Sequence, residues 1–153
     1  MDSTAITSTD QDLSLNRMRS LLREKFGYPD FRGGQERVLT ALAENDVLAV
    51  MPTGSGKSMC YVLPALITGR TLVVSPLIAL MQDQVESLTA SGVHATFINS
   101  TLSRDKQNQN YLDFIHGRAD LLFVAPERFA NRRFVEGLRA ASIRLLAIDE
   151  AHC

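Results

Sequence analysis

"VLAVMPTGSGKSMCYVL", residues 47–63, runs from an apolar stretch through a glycine, lysine and hydroxyl cluster into a second apolar stretch. Val47 to Met51 has the length of a strand buried on both faces, and the segment from Met59 onward has the composition of a buried helix. Between them, Gly54 and Gly56 let the backbone turn its N–H groups inward, and the helix that follows adds its positive N-terminal end. Thr53, Gly54, Ser55, Gly56, Lys57 and Ser58 are therefore candidates to cradle a polyphosphate. Lys57 would reach the β- and γ-phosphates as a point charge, and the Ser58 hydroxyl would join a Mg²⁺ shell. A plain glycine-serine connection between strand and helix would use the same residue types. The G-x-x-x-x-G-K-S pattern is also incomplete, because Met51 stands at its first position.

Outward from this stretch the chain alternates. Apolar runs at 71–75, 95–99, 121–125 and 144–148 are separated by segments of helical period. Short runs buried on both faces, each followed by a crossover helix, predict an α/β fold with a parallel sheet flanked by helices. Upstream, Leu15, Met18, Leu21, Leu22 and Phe26 fall at helical spacing, with Ser14 as N-cap and Gly27 and Pro29 as the stop. A second helix is expected from about residue 34 to 44, turning Val38, Leu39 and Leu42 inward. Residues 1–13 are rich in Ser, Thr and Asp and are expected to form a disordered tail. Residues 14–153 then make one domain.

In an open parallel sheet, ligands gather where strands end and the loops before the helices begin. Four such loops are polar here: PTGSGKS, SPLIALMQDQ, APERF and DEAHC. The last places Asp149 and Glu150 directly after the apolar run Leu145 to Ile148. A carboxylate at that position can hold Mg²⁺, and its neighbour can orient and deprotonate an attacking water. An acidic turn after an edge strand is the lesser reading of the pair taken alone, and beside a lysine loop the catalytic reading dominates.

Composition narrows the partners only slightly. The net charge is −1, from 16 basic and 17 acidic residues, so no global basic field announces nucleic acid and none excludes it. Acids dominate the first 16 residues, whereas residues 104–144 are mildly basic. Cys60 and Cys153 stand far apart without metal-ligand spacing, which suggests neither a disulfide scaffold nor a zinc site. His94 and His116 lack ligand-spaced partners. No apolar run approaches the ~18 residues of a membrane span, and the opening is no signal peptide, so a soluble, cytoplasmic protein without a membrane partner is expected.

TGSGKS followed by DEAH resembles motifs I and II of superfamily-two helicases, whose motif I does not require the glycine that Met51 replaces. The finer match is to the RecQ family of DNA helicases. It rests on FGYPDFRGGQ (26–35), MPTGSGKSMCY (51–61), SPLIALMQDQV (75–85), NST (99–101), APERF (125–129) and DEAHC (149–153), with Gly33 where proline is usual. The resemblance implies a RecA-like P-loop NTPase domain and an ATP-driven, 3′ to 5′ DNA-unwinding enzyme that uses ATP and Mg²⁺, in the nucleoid or nucleus. It implies that Lys57, Asp149 and Glu150 are catalytic, and that Ser58 and Asp149 bind the metal. Tyr28 would stack on adenine, Arg32 would assist, and Gln35 would hydrogen-bond the base edge. Ser75 and Pro76 of motif Ia, with Glu127 and Arg128 of motif Ib, would contact the tracked DNA strand. His152 would couple the nucleotide site to DNA or to a second RecA-like domain.

Because the sequence given stops directly after motif II, the domain is expected to be incomplete at its C-terminus, without motif III or the second domain's arginine. Such a piece is expected to bind ATP-Mg but to unwind nothing. Two alternatives remain at this point: an RNA helicase of DEAD-box or DEAH-box type, and a non-enzymatic nucleotide-binding module.

Overall fold

The computed structural model describes residues 2–8, 14–52, 54 and 56–151. In chain order the elements are β1 (Asp2–Ser8), α1 (Leu15–Phe26), α2 (Gln35–Leu42), β2 (Val47–Met51), α3 (Met59–Thr68), β3 (Thr71–Val74), α4 (Ile78–Ala90), β4 (Ala95–Ile98), α5 (Arg104–Ile115), β5 (Leu121–Val124), a 3₁₀ turn (Pro126–Ala130), α6 (Arg132–Ala140) and β6 (Leu145–Asp149). The expected helix and strand order is met, with boundaries shifted by a residue or two. Ser14 caps α1 by accepting from the Arg17 N–H, and Gly27 ends it in the left-handed conformation at φ 72°.

One six-stranded sheet runs through the molecule in the order β2-β1-β6-β3-β5-β4. β6, β3, β5 and β4 are mutually parallel neighbours. Their side chains alternate between two cores. On one face Val73, Leu121, Phe123 and Ala147 meet buried residues of α1, α2, α3 and α4. On the other, Leu72, Val74, Leu122 and Val124 meet Phe114 of α5 and Phe134 and Leu138 of α6. That two-sided burial is why these strands read as unbroken apolar runs rather than as alternating ones.

The sheet is mostly rather than wholly parallel, and the difference comes from the segment expected to be disordered. Asp2–Ser8 form β1, antiparallel to β2 on one side and to β6 on the other. Both rows of its backbone groups are thereby satisfied, and the β-branched Thr4 suits the pleat. Composition alone could not show that a polar segment would find two open strand edges. β1 being antiparallel to both neighbours, β2 runs parallel to β6. All five remaining strands therefore end at one edge, where the polar loops collect.

Candidate nucleotide site

The loop after β2 opens that edge. Met51 closes the strand with its side chain 4% exposed, so the residue at the pattern's missing glycine is a core anchor. Gly54 and Gly56 adopt φ 81° and 76°, the left-handed region in which a Cβ is strained. At Gly56 space is closed as well: an added Cβ would lie 2.5 Å from Gln35 Nε2 and 3.2 Å from Arg32 Nε. Lys57 and Ser58 follow at the start of α3. Ser58 is helical, and its hydroxyl makes no capping bond, leaving that oxygen available at the mouth of the loop.

Lys57 and the acid pair lie together. Its Nζ is 2.9 Å from Glu150 Oε1 and 3.3 Å from Asp149 Oδ1, across 93 positions of sequence in the first case. The three side chains are 17%, 5% and 11% exposed for Lys57, Asp149 and Glu150, so the charges are largely withdrawn from water and depend on one another. Asp149 is held further: its Oδ1 accepts from the Glu150 N–H at 3.0 Å and from the Thr4 hydroxyl at 3.2 Å. Thr4, buried in β1, is a neighbour that no motif signals. Glu150 sits at φ 55°, a left-handed geometry uncommon for a non-glycine residue and typical of constrained functional turns.

The segment before α2 meets the same loop. Gln35 is buried, its Nε2 donating to the Gly56 carbonyl at 2.8 Å and its Oε1 accepting from the Arg32 N–H at 3.0 Å. The amide expected to read a base edge is thus engaged with the loop, joining the two motifs. Tyr28 is 45% exposed, with the Arg32 guanidinium 5.6 Å from its ring centroid. Phe31 instead packs against the core under Arg19, so only Tyr28 offers a free aromatic face. A cavity of about 510 Å³ extends from Tyr28 past Ser58 and Met59 to Leu80 and Asp83 of α4.

Other expected residues separate from this cluster. Ser75 is buried, and its hydroxyl accepts from the Leu77 N–H at 3.2 Å. Its side chain supports the turn into α4, and Pro76 beside it is half-buried. Glu127 is exposed, whereas Arg128 lies half-buried with its Nη1 donating to Gln107 Oε1 at 3.1 Å. Thr53, Ser55 and His152 lie outside the described residues. Cys60 is packed in α3, where burial pushes its thiol up to about 12. Burial likewise raises the Tyr61 phenol beside it, with Asp149 adding to the effect.

Comparison with known proteins decides the family. The DEAD/DEAH box helicase family matches residues 32–153. The chain belongs to the DEAD/DEAH box helicase family. Among its relatives, the ATP-dependent DNA helicase RecQ of Haemophilus influenzae is 47% identical over 136 residues, covering 88% of this chain and 22% of that protein. RecQ of Bacillus subtilis is 42% identical over 142 residues, 91% of this chain and 24% of that one. The ATP-dependent DNA helicase Q-like 2 of Arabidopsis thaliana is 41% identical over 137 residues, 84% of this chain and 19% of that one. The chain therefore spans less than a quarter of the length of these relatives. No described helix is long and apolar enough to cross a membrane.

Proposed function

We propose that this chain is the nucleotide-binding part of an ATP-dependent DNA helicase of the RecQ type. The observation that carries the proposal is the contact of Lys57 with both Asp149 and Glu150 at the carboxyl edge of a mostly parallel sheet. A cation and two carboxylates in mutual reach, under a loop of inward-turning glycines, form a device for exchanging charge partners. When nucleotide enters, Lys57 transfers its ammonium from the carboxylates to phosphate oxygens, and backbone N–H groups of the loop take the remaining oxygens. Asp149 and Glu150 are then released for other work. Glu150, next to the phosphates, is the group to orient and deprotonate the attacking water.

Mg²⁺ fits the donors present. Among the described residues no group of three or more His, Cys, Asp or Glu forms a closed metal cage. Mg²⁺ is ordinarily held by one or two hard oxygen donors, with waters and substrate phosphates completing its shell. The Asp149 carboxylate and the Ser58 hydroxyl are such donors. When bound, the ion neutralises charge on the β- and γ-phosphates. Tyr28, with the Arg32 guanidinium over its ring, presents a stacking surface at the cavity beside Ser58, and the Gln35 amide carries a second donor and a second lone pair suited to a base edge.

The DNA preference rests on the RecQ names of the relatives and on the FGYPDFRGGQ segment. Calorimetric titration of the chain with ATP, with and without Mg²⁺, and with single-stranded DNA against RNA of equal length, tests the proposal. It expects Mg²⁺-dependent ATP binding and preference for DNA. Absence of nucleotide binding would overturn it, and preference for RNA would end the RecQ part.

A further inference from the structure

β1 reaches the acid pair through Thr4. The register sets Thr4 opposite Asp149 of β6 and opposite Ala49 of β2, so its hydroxyl and the Asp149 carboxylate stand on one face of the sheet. Thr4 is 2% exposed and Asp149 4%, and the hydroxyl donates to Asp149 Oδ1 at 3.2 Å. The branched Cβ restricts that hydroxyl to few rotamers, so the donor is held with little further loss of freedom. Beyond this pair the Ser3 carbonyl accepts from the Ala151 N–H at 3.0 Å. β1 therefore grips the turn that carries both acids at two points.

Three donors meet on one carboxylate oxygen. Asp149 Oδ1 receives the Thr4 hydroxyl, the Glu150 N–H at 3.0 Å and the Lys57 ammonium at 3.3 Å, and Oδ2 takes none of the three. A carboxylate with one oxygen anchored and the other left over is suited to a hard cation, and carboxylates that bind metals are ordinarily fixed by such outer hydrogen bonds. The donors differ in what becomes of them when nucleotide arrives. Lys57 turns to phosphate in the account above. The Glu150 N–H belongs to the same turn as the carboxylate and moves with it. Of the three, Thr4 is then the donor that ties Asp149 to a different strand. The tie depends on register, because a slip of β1 by one residue would set Ser3 or Ala5 opposite Asp149 and turn Thr4 to the other face.

We propose that Thr4 is a positioning residue for Asp149: its hydroxyl keeps hold of Oδ1 while Lys57 changes partners, and so leaves Oδ2 for Mg²⁺. The inference rests on the nucleotide reading above and deepens it. It makes the strand at residues 2–8, which lies outside every motif quoted for the resemblance, part of the metal side of the site. Thr4 acts through Asp149 rather than on the nucleotide, so its effect is confined to the metal-dependent part of binding. Valine keeps the branched shape that suits a strand and removes the donor; serine keeps the donor and removes the branch.

The test titrates Mg²⁺ into the chain, Thr4→Val and Thr4→Ser at a fixed concentration of a fluorescent ATP analogue, with affinity for the analogue in EDTA measured alongside. Thr4→Val is expected to raise the Mg²⁺ midpoint by about ten-fold or more, the usual effect of losing an outer partner of a metal ligand, while its affinity in EDTA stays that of wild type. Thr4→Ser is expected to return the midpoint toward wild type. A wild-type midpoint in Thr4→Val would overturn the positioning role and leave the nucleotide reading intact. Equal losses with and without Mg²⁺, a Thr4→Ser chain as impaired as Thr4→Val, or a Thr4→Val chain that does not fold would assign Thr4 to packing and overturn the role likewise. Failure of the wild-type chain to bind the analogue would overturn the nucleotide reading together with the inference built on it.

Discussion

The two ends of the sheet handle charge and burial in opposite ways. At the β2-β1-β6 end, the Lys57 ammonium is already paired with two carboxylates, and Asp149 also receives hydrogen bonds from Thr4 and Glu150. At the β5-β4 end, three arginines face a cavity with no carboxylate in it. Burial runs the other way. β3 and β5 are buried at every position, whereas Leu48 and Val50 of β2 are 69% and 58% exposed and Ile148 of β6 is 37% exposed. The end with satisfied charges has an open apolar face, and the end with closed cores has open charges. A site that holds its own counter-ions must exchange them when ligand arrives.

The widest contrast is in packing. Phe123→Ala, in a strand enclosed on both faces, should cost about 3–5 kcal/mol, whereas Leu48→Ala on the open face should stay within roughly 0.5 kcal/mol. Urea unfolding of both variants measures the gap, and equal costs would abolish the packing half of the contrast. Next comes Lys57→Met, which leaves two largely buried carboxylates without their cation. Removing one partner of such a pair costs on the order of 3 kcal/mol, which urea unfolding of the variant measures. A cost within about 0.5 kcal/mol would show that the ion pair is not what holds this end together.

Gly56→Ala introduces both a strained φ and a close approach to Gln35 Nε2. It should destabilise by about 1–3 kcal/mol and weaken nucleotide binding together, whereas alanine at the equally left-handed Gly117, which has open space around it, should cost only the conformational part. Thermal melts of the two variants compare them.

The smallest effect is expected at Asp30, on the exposed segment leading into α2. The Arg19 side-chain hydrogen bond, then the Phe31 N–H, hold its carboxyl below the usual range. A carboxyl depressed in the folded state contributes stability above its unfolded pKa, near 4, and loses it as pH falls through the folded value. Asp30→Asn should therefore lower the melting point slightly at pH 7 and converge with wild type at low pH. As a surface pair it should respond to salt, unlike Lys57.

How far the sequence carried these conclusions differs by element. The strands from β2 to β6 were legible because two-sided burial writes itself as an apolar run, and α1 was legible from its cap, its stop and its spacing. β1 was not. Its residues are small and polar, and its structure comes from two neighbouring strand edges rather than from any pattern within it. The meeting of Lys57 with Asp149 and Glu150 was legible because the glycine-lysine loop and the acid pair each end a parallel strand at the same edge. Thr4 against Asp149 and Gln35 against Gly56 were hidden, since both depend on which segments touch across the chain. The bond from the Leu77 N–H to the Ser75 hydroxyl was hidden too, since it depends on the geometry of the two-residue turn into α4. The arginine cavity was partly visible as a basic stretch, but its convergence depends on how α5, α6 and the 3₁₀ turn pack.

The central claim is that Lys57 trades its carboxylate partners for phosphate. Titrating the chain, Lys57→Ala and Glu150→Gln with a fluorescent ATP analogue in Mg²⁺ tests it most directly. Loss of a charge-assisted contact of roughly 1.5–3 kcal/mol predicts about ten- to hundred-fold weaker binding for Lys57→Ala. Glu150→Gln, which removes a competitor for the ammonium, should bind as tightly as wild type or more so. Wild-type affinity in Lys57→Ala would contradict the account.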